Sequence, residues 1–474
     1  MGLAAEYQDF DLVVTADEGK CFAQVLESPA GQSARCKIDL PFDQNEIQQI
    51  LYRLEIAILR SVRPVRSTRI EADLRKIGAQ LFHSLLLQSD EIRLLYSGSR
   101  KVLPKTTRLR VKLRIDADPL AALPWEYFYD ELVLNDFLGL DAQTSLVRYI
   151  HLAQPVQKLE VQGPLRILGM VANPRNGNEY ATLDVTDERA RIDKAIRGLH
   201  ERGEVDFQWV PGESQNDLFD AMYKGPWHIF HFIGHGGIDA NGEGFVVLAG
   251  ESGEPQEFSA SKLTRVLRME KSLRLVVLNC CDGARGNVSL AKSLVSSGIS
   301  AVVAMQFPIS NEAAIELASA FYVALANGEP VDGAVTHARI KMQYKSNIEW
   351  GIPVLYMRAP DGRIFEKQLQ PNPATTPARQ APPASLPAPV ALLRAETVPS
   401  VTLPGDSGKL DSGFFSDLER RGEEQLAQAN AAFLGEMNLE LLSQEQLLAL
   451  IETGKRLTAQ DSADERLRRR LAKV

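Results

Sequence analysis

The sequence predicts an α/β fold, a mostly parallel sheet flanked by helices, and three observations carry that prediction. Apolar runs such as "PLRILGMVANP" (Pro164 to Pro174), "WHIFHFIG" (Trp227 to Gly234) and "LRLVVLNCC" (Leu273 to Cys281) are short and end in turn residues. That is the pattern of strands buried on both faces. Between them lie segments with apolar residues at helical spacing, "DERARIDKAIRGLH", "SQNDLFDAMYKG" and "SASKLTRVLRME". Strand and helix alternating at this interval put helices on both faces of a mostly parallel sheet.

Taken in order, residues 1–160 read as an N-terminal α+β region packed against that sheet. Its strands are "FDLVVTADEGKCFAQVLES" and "TRLRVKLRIDADPLAALPWEYFYD", with "NEIQQILYRLEIAILR" and "LRKIGAQLFHSLLL" as helices between. Residues 161–366 form the α/β core. Besides the segments above it holds a strand at "VDFQWVPG", a helix at "NVSLAKSLVSSG" closed by Gly298, and a strand at "ISAVVAMQFP". Residues 367–405 read as a Pro-rich linker, because prolines recurring with Ala, Thr and Ser from Pro371 to Pro404 cannot bury a core. Residues 406–474 read as a small helical module, a C-terminal helical tail. Ser443 with Gln446 and Ser462 with Glu465 make capping-box patterns at the starts of two of its helices.

Bulk properties exclude some classes of function. A chain of 474 residues exceeds one core and predicts two or three domains. The net charge of -8 argues against direct nucleic-acid binding, and no apolar run reaches membrane-spanning length. The opening segment "MGLAAEYQDFDLVV" has neither the basic nor the apolar part of a signal peptide. Four cysteines, Cys21, Cys36, Cys280 and Cys281, are too few for a disulfide scaffold of this size. A cytoplasmic location is the expectation.

Three of the seven histidines, His228, His231 and His235, fall within eight residues. A metal centre would need ligands converging at about 2 Å, whereas His228 and His231, three apart on a strand, point to opposite faces. Adjacent Cys280 and Cys281 lack the spacing that a zinc pair needs. The reading is therefore no metal and no cofactor, with His228 and His231 as packed, hydrogen-bonded residues. His235 differs because it lies in "GHGG", where Gly234 is expected to end the strand and leave an exposed turn. Imidazole is the side chain suited to acid and base work near neutral pH.

Cys281 follows a very apolar strand and precedes "DGARGN", where the chain turns toward the next helix. A thiol near a helix N-terminus gains thiolate character. A nucleophile and a base at the ends of adjacent parallel strands come within reach of each other while distant in sequence. Cys281 stands 46 positions after His235 (281 minus 235), against about 50 between His and Cys in caspases. Cys280 is expected to point into the opposite layer as a small buried hydrophobe.

With these residues in place the sequence resembles the CHAT family, caspase-like cysteine peptidases of bacteria, in the clan that includes caspases and separase. The likeness runs through "HIFHFIGHGG", "LVVLNCCDGA", "GISAVVAMQFPISNEAA" and "WGIPVLYM", and upstream through "LPWEYFYD", "FLGL" and "LVRYI". It covers about residues 70 to 360 as an ordered series. The resemblance implies a caspase-like sheet, His235 as general base, Cys281 as nucleophile, and the backbone N–H groups of Gly236 and Cys281 as the oxyanion hole. It implies a cytosolic endopeptidase cleaving protein substrates through a thioester acyl-enzyme, latent until a partner or signal acts, in bacterial (antiviral) defence or regulated proteolysis. A protein activator or sensor binding residues 406–474 is the expected partner, and the linker is a candidate substrate in cis. The alternative is a catalytically inactive caspase-fold scaffold acting through its helical tail. The first subsite is expected beside Cys281, walled by "QFPIS", with Asp239, Glu243, Asp282 and Glu312 as the carboxylates able to set its charge.

Overall fold

In the computed structural model the described residues are 6–39, 68–116, 118–174, 185–250, 252–280 and 284–367, all within the unit Met1–Thr376. The proposed helix at "NEIQQILYRLEIAILR", the linker beyond Lys367 and the tail, with Ser443, Gln446, Ser462 and Glu465, lie outside them, as do Cys281 and Asp282.

An antiparallel hairpin, β1 (Glu6–Asp17) and β2 (Lys20–Glu27), opens the chain, and β3 (Cys36–Ile38) pairs with β2. Helices α1 (Thr68–Phe82) and α2 (Asp90–Val102) follow, the second capped by Ser89, then strand β4 (Thr107–Ile115) and strand β5 (Thr144–Tyr149). The α/β core begins with β6 (Leu165–Val171), α3 (Val185–Glu201), β7 (Val205–Trp209) and α4 (Gln215–Met222). Ser214 and Asp217 close a full capping box on α4, satisfying backbone N–H groups that would otherwise lack partners. Strand β8 (Ile229–Ile238) leads to a hairpin, β9 (Gly244–Ala249) and β10 (Pro255–Ser259), and to α5 (Ala260–Leu267). The remainder is β11 (Leu275–Cys280), α6 (Ala284–Ser296), β12 (Ala301–Met305), α7 (Asn311–Ala326), α8 (Val331–Gln343) and β13 (Pro353–Met357).

The thirteen strands form one sheet in the order β7-β6-β8-β11-β12-β13-β5-β4-β1-β2-β3, with β9 on β8 and β10 on β9. Pairing is parallel from β7 to β12 and from β13 through β5 and β4 to β1. The sheet is thus mostly parallel and flanked by helices, the predicted class. The N-terminal strands extend it edge to edge through β5 on β13. Alternation sorts the core strands into two apolar layers. Ile229, Ile233, Leu275, Val277, Val303 and Met305 meet α3, α7 and α8 in a first core. Phe230, Phe232, Val276, Leu278, Cys280 and Ala304 meet α4, α5 and α6 in a second.

Buried charge ties the N-terminal strands to the core. The Arg148 guanidinium on β5 grips Glu126 with two bonds, Nε to Oε1 at 2.9 Å and Nη2 to Oε2 at 2.6 Å, both residues being almost fully buried. Its Nη1 also donates to the carbonyl of Ala121 and its Nη2 to that of Leu123. Arg110 on β4 makes a second buried pair with Asp332 on α8, at 2.9 Å. Removing one partner of a buried pair strands the other charge, at a cost of about 3–5 kcal/mol. Glu126→Ala should lower unfolding stability in urea by that order. Lys37→Ala, which removes an exposed pair with Asp39 at 3.2 Å, should change it by less than about 1 kcal/mol. Similar losses in the two variants would contradict this account of the buried pair.

Candidate active site

Of the residues predicted to carry chemistry, His235 and Gly236 lie on β8 where the parallel strands of the core end. Strand β8 is in parallel register with β11 from Ile229 opposite Leu275 to Gly234 opposite Cys280. On its other side it pairs with β6 through Ile233 opposite Val171. Beyond Gly234 the same strand changes partner. His235, Gly236, Gly237 and Ile238 pair antiparallel with Val247, Val246, Phe245 and Gly244 of β9.

Two expectations about "GHGG" are corrected here. Gly234 does not end the strand, and His235 is no exposed turn residue: it is 0% exposed and lies within β8. The glycines serve close packing, and none of Gly234, Gly236 and Gly237 takes a positive φ. A Cβ on Gly234 would stand 2.7 Å from the ring of Phe232, and one on Gly237 would stand 2.6 Å from the ring of Phe245. Each ring lies over bare glycine backbone, Phe232 on the second-core face and Phe245 on the opposite one. Gly236, opposite Val246 of the second core, shares that residue's face, so His235 shares the face of His231 and Ile233.

His228 and His231 are packed, bonded residues, as the sequence predicts. His228 Nδ1 accepts the backbone N–H of Arg166 at 3.0 Å. His231 Nδ1 meets the Tyr322 hydroxyl of α7 at 2.7 Å. Burial, with Arg166 nearby, pushes the His228 imidazole down to about 4, and burial alone does the same to His231. Cys280 sits in the second core at 1% exposure. Cys281, the next residue, lies outside the described residues. Among the described residues no three His, Cys, Asp or Glu side chains are grouped as metal ligands would be.

The carboxylates considered for a first subsite are largely committed to structure. Asp239 Oδ1 accepts the backbone N–H groups of Asn241 (2.9 Å) and Glu243 (2.8 Å), which shapes the turn after β8. Glu243 in turn accepts the N–H of Ser261 at 2.8 Å. Glu312 is exposed in the first turn of α7.

The segment "QFPIS" is clamped at both ends, a feature that reading the sequence missed. Gln306 Nε2 donates to Glu126 Oε2 at 3.0 Å and to the carbonyl of Gly351 at 2.7 Å. Glu349 accepts the backbone N–H of Ser310 at 2.6 Å and its hydroxyl at 3.1 Å, while Ser310 caps α7. The motifs upstream of the core therefore have a physical role, since Glu126 of "LPWEYFYD" and Arg148 of "LVRYI" hold the loop that follows β12. A buried Glu and Arg in separate motifs were the available signal.

A sequence model of the CHAT domain matches residues 71–385, well over half of the chain. No curated protein matches. Among solved structures, the crystal structure of the Arg specific cysteine proteinase gingipain R (RGPB) is similar at 11% sequence identity and a TM-score of 0.37. It covers 62% of this chain and 76% of that chain. No described helix is long and apolar enough to cross a membrane.

The two depressed histidines make a pH prediction. Folded, they stay neutral down to about 4, whereas unfolded they take protons from 6.5 downward. The unfolded chain then binds more protons in that window, so stability is full above 6.5 and falls as pH drops toward 4. Denaturation midpoints across this range should fall less steeply in His228→Gln/His231→Gln than in wild type. Parallel curves would refute the assignment.

Proposed function

The chain belongs to the CHAT domain family, and we propose that it is a cysteine endopeptidase with His235 as general base and Cys281 as nucleophile. One observation supports this most. The strands that lead to the two residues are neighbours in register, and the last pair, Gly234 opposite Cys280, is one residue short of His235 on one strand and of Cys281 on the other. Consecutive Cα atoms are about 3.8 Å apart across a trans peptide, so the chain enters Cys281 directly from the strand end opposite Gly234.

The chemistry follows from these groups. The Cys281 thiolate attacks the scissile carbonyl carbon, a C–S bond forms, and the carbonyl electrons move to oxygen. Backbone N–H groups of Gly236 and Cys281 are the donors assigned to that oxyanion, where fixed dipoles act most strongly. Collapse breaks the C–N bond while the His235 imidazolium protonates the departing amine. His235 then takes a proton from water, which hydrolyses the thioester and frees the thiol.

Full burial of His235 supports latency, because a base with no exposed surface cannot serve a substrate until its cover moves. An activator or sensor protein binding residues 406–474, action in the cytoplasm, and a role in bacterial antiviral defence or regulated proteolysis complete the proposal. The linker within 367–405 is a candidate substrate in cis. The same burial also favours the second reading, an inactive scaffold acting through its tail.

Alkylation separates the two without a substrate. Iodoacetamide labelling of Cys281 and Cys280 is timed against pH by mass spectrometry in wild type and His235→Ala. An ordinary thiol, titrating at about 8.5, is only slightly ionised at pH 7. Cys281 in an assembled dyad should label about tenfold faster there than in His235→Ala, with Cys280 unreactive in both. Identical Cys281 profiles in the two proteins would favour the scaffold.

A further inference from the structure

Beneath the proposed dyad, between the sheet and α7, lies an internal cavity of about 10 Å³ whose lining includes His231, Asn279, Tyr322, Val277, Met305 and Leu317. A space of that size holds about one water molecule. Three of the lining residues are polar and more than nine-tenths buried: His231 (3% exposed), Asn279 (6%) and Tyr322 (1%). His231 lies opposite Val277 in the ladder and Asn279 opposite Ile233, so the two share one face on adjacent strands.

The protonation of this group is ordered by burial. Burial drives the Tyr322 phenol far above its ordinary value and holds the His231 imidazole down at about 4. The bond is assigned with Tyr322 as donor, because its hydroxyl proton has no other acceptor among the described residues, and His231 Nδ1 is then the acceptor at 2.7 Å. The ring proton then resides on Nε2. Among the described residues, both His231 Nε2 and Asn279 Oδ1 are buried without a protein partner. One is a donor and the other an acceptor, and leaving each unpaired would cost about 1–3 kcal/mol.

We propose that this cavity is a one-water site in which water accepts from His231 Nε2–H and donates to Asn279 Oδ1. The resulting chain from Tyr322 through His231 and water to Asn279 makes His231 and Asn279 positioning residues for the dyad. His231 is four residues before His235 on β8, and Asn279 two before Cys281 on the neighbouring strand. The positioning role rests on the peptidase reading above; the water site and the tautomer do not. The bridge locks the two strands to each other and to α7, whose N-terminus is the Ser310 cap held by Glu349.

The test uses the full chain with ¹⁵N-labelled histidine. The His231 ring nitrogens should report the Nε2–H tautomer, with a slowly exchanging proton that shows cross-relaxation to a bound water. Tyr322→Phe, which removes only a hydroxyl, should mix the tautomers. Asn279→Leu should abolish the water signal and slow Cys281 alkylation at pH 7 by about fivefold, the worth of one net hydrogen bond. Asn279→Asp, of nearly the same shape, should keep the water signal and so separate bridging from mere folding. An Nδ1–H tautomer, or an Nε2 proton with no water contact, overturns the site. A water signal lost in Asn279→Leu with alkylation unchanged overturns the positioning role. Alkylation of wild-type Cys281 that ignores His235 would instead fail the peptidase reading, leaving the tautomer result to judge the water site by itself.

Discussion

A strand can be paired on both edges by parallel neighbours only as far as those neighbours run, and among the described residues the parallel pairing of β8 reaches Ile233 on one side and Gly234 on the other. The remaining half of the strand takes an antiparallel partner, β9. That change of partner is what the site depends on. It keeps His235 in regular backbone, fixes which face its imidazole occupies, and joins the β9–β10 hairpin to the last residues of β8. Phe245 arrives with the hairpin and, with Phe232, covers glycine backbone that any larger residue would push apart.

A second constraint acts from the other side. The loop after β12 buries Phe307 and Ile309 in the first core and is held at its ends by carboxylates, Glu126 through Gln306 and Glu349 through Ser310. Glu126 is in turn neutralised by Arg148, whose strand belongs to the N-terminal part of the sheet. Buried ion pairs of this kind add little net stability compared with apolar packing, but a single missing partner is costly. The loop geometry therefore depends on residues more than 150 positions earlier in the chain.

The parts of the fold legible in the sequence are those whose periodicity has a single physical meaning. The runs at Leu165–Val171, Ile229–Gly234 and Leu275–Cys280 are apolar on both faces and became central strands. The helix in "SQNDLFDAMYKG" was readable from its apolar spacing. His228 and His231 were readable as packed residues because an imidazole in an apolar strand must find a partner. The hairpin Gly244–Ala249 with Pro255–Ser259 escaped notice: its strands are short, and "GEGFVVLAGESGEPQEFS" carries turn residues throughout. "GHGG" was misread because glycine permits both a turn and the close approach of a ring, and only the fold says which applies. The Glu126, Arg148 and Gln306 cluster was hidden for a different reason, since partners so far apart in sequence leave no local pattern.

The dyad is tested most directly by the crystallographic distance from Cys281 Sγ to the His235 ring. A separation of no more than about 4 Å, on the face shared with His231, is the result expected. A sulfur directed into the second core beside Cys280, with the imidazole out of reach, would contradict it.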